Sequence, residues 1–274
     1  VPQRDNCGEL STVSGPLYTG VLTHSGKAPV DIKPPYGYEE IVPLTRQHRV
    51  ALPDGRKLPP AFRNLNALPL SFTEFTVACR DYPIAFVGPD PAGVIAMAVL
   101  GLDNGQNLFV SNSDSWDAAV YVPAYARRYP FCMTRVTVDG KEQAERVACV
   151  EKRALSGQGE ALFDGKGEPL PAWEERRKLL FDYESDLVRS EEMCRELGRL
   201  QLLETFTVQA VPNQGKPVQM TGMYRVAEQK LADLPADKLK ELAQKGILAR
   251  VYAHLISLAN FGKLLDRRVA LAKA

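Results

Sequence analysis

The chain is poor in what most enzymes show first. Its 274 residues include only three histidines, at positions 24, 48 and 254. None lies in an HExxH pattern. None is followed two positions later by Asp or Glu, the spacing typical of a non-haem iron facial triad. There is no GxGxxG fingerprint after a strand, no GxxxxGK[ST] phosphate loop and no GxSxG nucleophile elbow. Gly88-Pro89-Asp90-Pro91-Ala92-Gly93 reads as a turn, because its prolines remove the amides that phosphate would need. No metal site and no cofactor are expected.

An excess of one charge is also missing. Thirty-four Lys and Arg against 33 Asp and Glu leave a net charge of +1, so no global field favours nucleic acid or anionic lipid. Arg46, His48, Arg49, Arg56, Lys57 and Arg63 fall in one stretch, read as a solvated loop with a basic patch left open. Long apolar runs are lacking too. Ile84 to Leu102 is the most apolar region, but Gly88-Pro89-Asp90-Pro91 and Gly93 break it below the roughly 20 residues a bilayer core requires. Membrane insertion as a helix, and with it a permease-type subunit, is excluded. The first residues carry no apolar signal core, so the cytoplasm is expected. Surface or periplasm stay open because the sequence does not begin with Met. Five cysteines without CxxC spacing, among aliphatic neighbours, read as small buried hydrophobes of a reducing compartment, with disulfides left open as the lesser alternative.

What is present is a repeated corner. Arg80-Asp81-Tyr82-Pro83-Ile84 and Arg127-Arg128-Tyr129-Pro130-Phe131 share an Arg-x-Tyr-Pro-apolar pattern. Proline disfavours the α region for the residue before it, so each tyrosine marks a change from helical turn to extended chain.

Residues 1–65, rich in proline and weak in periodicity, are expected to form an extended N-terminal arm. Residues 66–274 read as a single domain. Within it, a short helix at 74–79 precedes a strand at 84–87 and another at 94–102. Asp103-Asn104-Gly105-Gln106 predicts a hairpin turn into a strand at 107–110. Pro123 opens a short helix through Arg128, and strands follow at 131–138 and 146–152 around Asp139-Gly140. Pro171 opens the clearest helix, with Leu180, Tyr183, Leu187, Ser190, Cys194 and Leu197 recurring every three or four residues and Gly198 loosening its end. Segments 205–209 and 218–226 read as a hairpin around Pro212-Asn213-Gln214-Gly215. Helices at 236–245 and 247–272 close the chain. Mixed blocks of strand and helix, without regular βαβ units, predict an α+β fold with a mixed, largely antiparallel sheet.

The corners hold the best polar candidates. Arg80, Asp81, Tyr82, Tyr121, Tyr125, Arg127, Arg128 and Tyr129 could line one cationic, aromatic site, since Arg forks suit carboxylate or phosphate. The competing reading makes each Arg a structural ion pair and each tyrosine a packed ring bonded to backbone. His254, beside the apolar face of the last helix, reads either as a bonded core-edge histidine or as an acid–base group. A Cys–His nucleophilic pair stays open. Asn112 to Trp116 reads as an exposed loop with one anchoring aromatic.

Four blocks resemble the SapC family of bacterial proteins over about residues 66–268. The first is Leu68-Pro69-Leu70, Glu74-Phe75 and Ala78-Cys79-Arg80-Asp81-Tyr82-Pro83-Ile84-Ala85-Phe86-Val87. The second is Tyr121-Val122-Pro123-Ala124-Tyr125-Ala126-Arg127-Arg128-Tyr129-Pro130-Phe131. The others are Gly222-Met223-Tyr224-Arg225-Val226 and Tyr252-Ala253-His254-Leu255-Ile256-Ser257-Leu258-Ala259-Asn260. The resemblance implies association with surface-layer proteins and a setting beside TonB-dependent receptors, flavin-dependent halogenase-like and cupin-like or hydroxylase-like proteins. It supplies no catalytic residues.

The reading that follows is an accessory protein that binds a peptide, an anionic ligand or a partner protein. The alternative is an enzyme of unrecognised type holding an anionic substrate through Arg80, Arg127 and Tyr129, with Asp81 or His254 as acid–base group. Oligomeric state is left open.

Overall fold

A computed structural model describes residues 32–53, 56–138, 141–210 and 217–271. The expected turns at Asp139-Gly140 and Pro212 to Gly215, together with Cys7 and His24, lie outside the described residues. Strands β1 (Ile41–Pro43) and β2 (Arg49–Val50) come first, and a 3-10 turn at Pro60–Asn64 leads into β3 (Ala67–Pro69). A capping box on Ser71 and Glu74 starts a 3-10 turn at Phe72–Glu74 that runs into α1 (Phe75–Ala78). Next come β4 (Ile84–Val87), β5 (Ile95–Val99), α2 (Ala124–Arg127), β6 (Phe131–Val138), β7 (Lys141–Glu151) and β8 (Glu160–Ala161). The long α3 (Pro171–Arg199) is followed by β9 (Leu203–Ala210) and β10 (Val218–Val226). Four helices end the described chain: α4 (Glu228–Ala232), α5 (Ala236–Gln244), α6 (Ile247–Ser257) and α7 (Asn260–Leu271).

The strands form an antiparallel five-stranded sheet in the order β3-β5-β4-β10-β9, a three-stranded sheet β1-β7-β6 and a small β2-β8 pair. This is the α+β architecture that the mixed blocks predict. Both Arg-x-Tyr-Pro corners fall where expected, one between α1 and β4 and the other between α2 and β6.

Helix α3 joins two apolar clusters. Trp173 and Leu180 pack with Phe131, Val150 and Leu162 in the smaller one. Tyr183, Met193, Cys194 and Leu197 join the larger one, which holds Phe75, Ile84 and Phe86. A 29-residue helix is about 43 Å long, enough to serve both. From before β3, Tyr38, Ile41, Phe62 and Leu65 enter the larger cluster.

Three elements depart from the sequence reading. Residues 107–110 form no strand beyond an isolated bridge at Val110, because the Asn107 side chain takes over part of the backbone pairing. Its Nδ2 donates to the Phe62 carbonyl (3.0 Å) and its Oδ1 accepts from Phe109 N–H (2.9 Å). The expected single helix from 247 divides at Leu258–Ala259, where bonding shifts to i→i+3. Ser257 and Asn260 flank that break and reach across to β4 and to the first corner. Gly198 does not loosen α3. A Cβ there would lie 2.5 Å from the Pro91 carbonyl oxygen, so the glycine lets the 88–93 turn lie against the helix.

Candidate functional site

Tyr121 is the point at which the two corners meet. Asp81 Oδ2 accepts from its backbone N–H (2.9 Å), and the Tyr82 hydroxyl donates to its carbonyl. Tyr82 is fully buried and receives Trp116 Nε1–H at 2.9 Å, so Trp116 is the buried anchor of a loop whose Asn112 and Ser113 are exposed. Asn260 Nδ2 holds the Cys79 and Tyr82 carbonyls, and Lys263 holds that of Arg80. The first corner is thus fastened to α7 behind it and to Tyr121 in front. The exposed Arg80 side chain takes no part in this.

Glu74 fixes Tyr121 from the other side. This buried carboxylate accepts from Ser71 N–H (3.0 Å) and Ser71 Oγ (2.7 Å) through one oxygen. Through the other it accepts from the Tyr121 hydroxyl (2.9 Å) and Ala124 N–H (2.6 Å). Four donors on one buried carboxylate satisfy its lone pairs. Burial, with the Glu74 charge, pushes the Tyr121 hydroxyl above the ordinary phenol range, so it remains protonated. That hydroxyl also accepts from Arg127 Nη2 (2.8 Å), while Arg127 Nε donates to the Val122 carbonyl (3.0 Å). Arg127, an exposed residue, is therefore held along its Nε–Nη2 edge, and its Nη1 makes no hydrogen bond or ion pair among the described residues.

A surface groove of about 400 Å³ lies beside it. Arg127 lines it together with Arg56, Lys57 and Arg176, and no acidic side chain lines it among the described residues. Arg56 is positioned by the Asp117 and Val120 carbonyls (2.6 and 2.8 Å). Lys57 and Arg176 make no side-chain hydrogen bond or ion pair among the described residues. Pro53, Leu58, Val122 and Ala126 provide apolar wall, and Tyr121 and Tyr129 border it. Burial, reinforced by the Glu151 charge, pushes the Tyr129 hydroxyl up to about 12.

Arg128, one residue on, points the opposite way. It is 5% exposed, with its guanidinium 4.2 Å from the Tyr125 ring centroid, 5.1 Å from Tyr183 and 5.8 Å from Tyr38. Glu184 lies 3.7 Å away and also pairs with Arg146. Tyr125 and Tyr38 donate to the carbonyls of Tyr36 and Phe131 (2.7 Å each). This cage ties α2 to α3 and to the segment before β1, and of the sequence candidates it takes Arg128 and Tyr125 out of the groove.

His254 is elsewhere. Fully buried against Phe86, it accepts from Val226 N–H through Nε2 (3.1 Å) and pairs Nδ1 with the Ile84 carbonyl (2.8 Å). That pairing requires Nδ1–H, the neutral tautomer, and burial lowers its pKa to about 4. Burial raises the Cys132, Cys149 and Cys194 thiols to about 12. A protonated thiol and a neutral imidazole are the reverse of a thiolate–imidazolium pair. All four described cysteines are free, no group of three or more potential ligands gathers for a metal among the described residues, and no described helix could cross a membrane.

The structure thus brings Tyr121, Arg127 and Tyr129 to one groove and sets Asp81 and Tyr82 behind it as supports. It separates Arg80, Arg128, Tyr125 and His254 from it. Sequence reasoning did not single out Glu74 or Arg176. The Ser71-x-x-Glu74 spacing marks a capping box, but nothing local points to its bonds with Tyr121 and Ala124, 47 and 50 residues away. Arg176 sits in a charged helix run where its neighbour Arg177 pairs with Glu174 in the ordinary i,i+3 manner.

No curated protein and no solved structure matches the chain significantly. A family model does, the one described as SapC, over residues 47–264, a span that includes both corners, His254 and all of the groove but not Tyr36 and Tyr38 of the cage. The chain belongs to the SapC family.

Proposed function

We propose that the protein is an accessory binding protein whose recognition site is the groove beside Tyr121, and that it takes an anionic segment of a peptide or partner protein. One observation carries this reading. Four cations converge on a groove without a described acidic counterpart, and Lys57 and Arg176 have no partner of their own among the described residues. Cations brought together repel one another, and a carboxylate or phosphate offsets that cost. Arg127 adds preorganisation, since Glu74, Tyr121 and Val122 fix its fork before any ligand arrives.

The enzyme alternative has weaker support. Asp81 is engaged by a backbone amide and His254 is buried away from the groove, so neither proposed acid–base group reaches a ligand there. The surface-layer and TonB-dependent setting implied by family resemblance fits a binding role and supplies candidate partners.

The test is calorimetric titration with citrate, inorganic phosphate and an Asp/Glu-rich peptide. The Lys57→Ala/Arg176→Ala double variant is expected to bind at least tenfold more weakly than wild type, with an unchanged melting temperature. Equal affinity in a folded double variant would contradict the reading. Affinity is also expected to fall with added salt, because these cations are solvent-facing.

A further inference from the structure

We infer that the groove receives the C-terminal end of a peptide chain, with its terminal carboxylate on the cations and an apolar last side chain against the apolar lining residues; this rests on the anion-binding reading above. The groove lining is of two chemical kinds. Arg56, Lys57, Arg127 and Arg176 supply positive charge. Pro53, Leu58, Val122 and Ala126, interleaved with them along the chain, offer no hydrogen-bonding side chain. A free phosphate or a lone carboxylate side chain would use the first kind and leave the second wet. A chain terminus carries its carboxylate and its last side chain on the same carbon, so a single residue answers both.

Size and openness favour a chain end over either a long segment or a small metabolite. About 400 Å³ is near the small limit of ligand pockets, which run from about 300 to 1,000 Å³. Arg56, Lys57 and Arg127 are exposed at the rim, so the groove opens to solvent and the preceding residues of a peptide can leave through it. A pocket for a free small molecule encloses most of its ligand.

The direct experiment is isothermal titration of the full chain with four probes. These are acetyl-Gly-Ser-Gly-Ala-Leu as free acid, the same peptide as C-terminal amide, acetyl-Gly-Ser-Gly-Asp-Leu amide, and free leucine. The free acid is expected to bind best. The simple amide should lose at least tenfold, and free leucine should bind more weakly than the acid. Arg176→Ala should weaken the free acid at least tenfold without lowering the melting temperature. An amide that binds as well as the acid would overturn the inference. Equal binding of the Asp-containing amide would overturn the chain-end assignment while leaving anion recognition standing. Equal binding of free leucine would replace the peptide by a small molecule. If no peptide, citrate or phosphate binds, both readings fall together.

Discussion

Adjacent arginines carry opposite duties. Arg127 is exposed and shaped from behind by Tyr121 and Val122, whereas Arg128 is packed among three aromatic rings. Arg127→Ala is expected to cost less than about 1 kcal/mol of stability while weakening anion binding. Arg128→Ala should cost about 3 kcal/mol, because it opens a cavity and strands a buried network. Arg128→Met should be milder, since Glu184 keeps Arg146 as a partner. Chemical denaturation of the three variants checks this ordering; equal losses for Arg127→Ala and Arg128→Ala would refute it. The sequence announced both arginines through the repeated Arg-x-Tyr-Pro pattern but could not tell them apart. A four-residue helix such as α2 is too short for periodicity to assign a face. The two repeats are not equivalent either, for Tyr82 is sealed under Trp116 and Tyr129 borders the groove.

Elements were legible where local chemistry decides them and obscure where distant partners do. Pro171 and the three-to-four-residue spacing of Leu180, Tyr183, Leu187, Ser190, Cys194 and Leu197 mark α3 from sequence alone. Leu187, on the same seam, is only partly buried, and Asp186 beside it is buried because it accepts from Thr73 N–H at 2.7 Å, a contact with no local signature. The break between α6 and α7 was hidden for a like reason, since Ser257 and Asn260 are bonded to a corner some 175 residues earlier in the chain. Gly198 gives a test in which propensity and packing have opposite signs. Alanine is the better helix former by about 1 kcal/mol, yet its Cβ would meet the Pro91 carbonyl oxygen at 2.5 Å. Gly198→Ala is therefore expected to destabilise by roughly 1–3 kcal/mol. A thermal melt showing a gain instead would mean that the 88–93 turn yields freely.

At the scale of the molecule, His254 ties β4 to β10 from α6, so its protonation bears on the main sheet as a whole. Its folded pKa, about 4, lies below the ordinary value of 6.5. Between these values the unfolded chain binds the proton and the folded protein does not, so stability falls as pH drops from 6.5 towards 4. The loss attributable to His254 is on the order of 3 kcal/mol, and it should shrink in His254→Gln when both proteins are unfolded by denaturant at pH 7 and pH 4.5. Identical pH dependence in the two would remove this role. The groove depends on the same framework, because Asp81, Tyr82 and Glu74 hold Tyr121, and Tyr121 holds Arg127. A second surface groove, beside Phe72, offers a control: Arg189, Arg195, Arg199 and Lys245 line it, but so do Glu192 and Glu196, and Glu196 pairs with both Arg199 and Lys245. The decisive measurement is a side-chain Nε–Hε NMR titration of ¹⁵N-arginine-labelled protein with the Asp/Glu-rich peptide. Saturable shifts at Arg56, Arg127 and Arg176, with Arg189 and Arg195 unmoved, are the expected result. Shifts confined to the arginines around Phe72, or none at all, would contradict anion recognition at the Tyr121 groove.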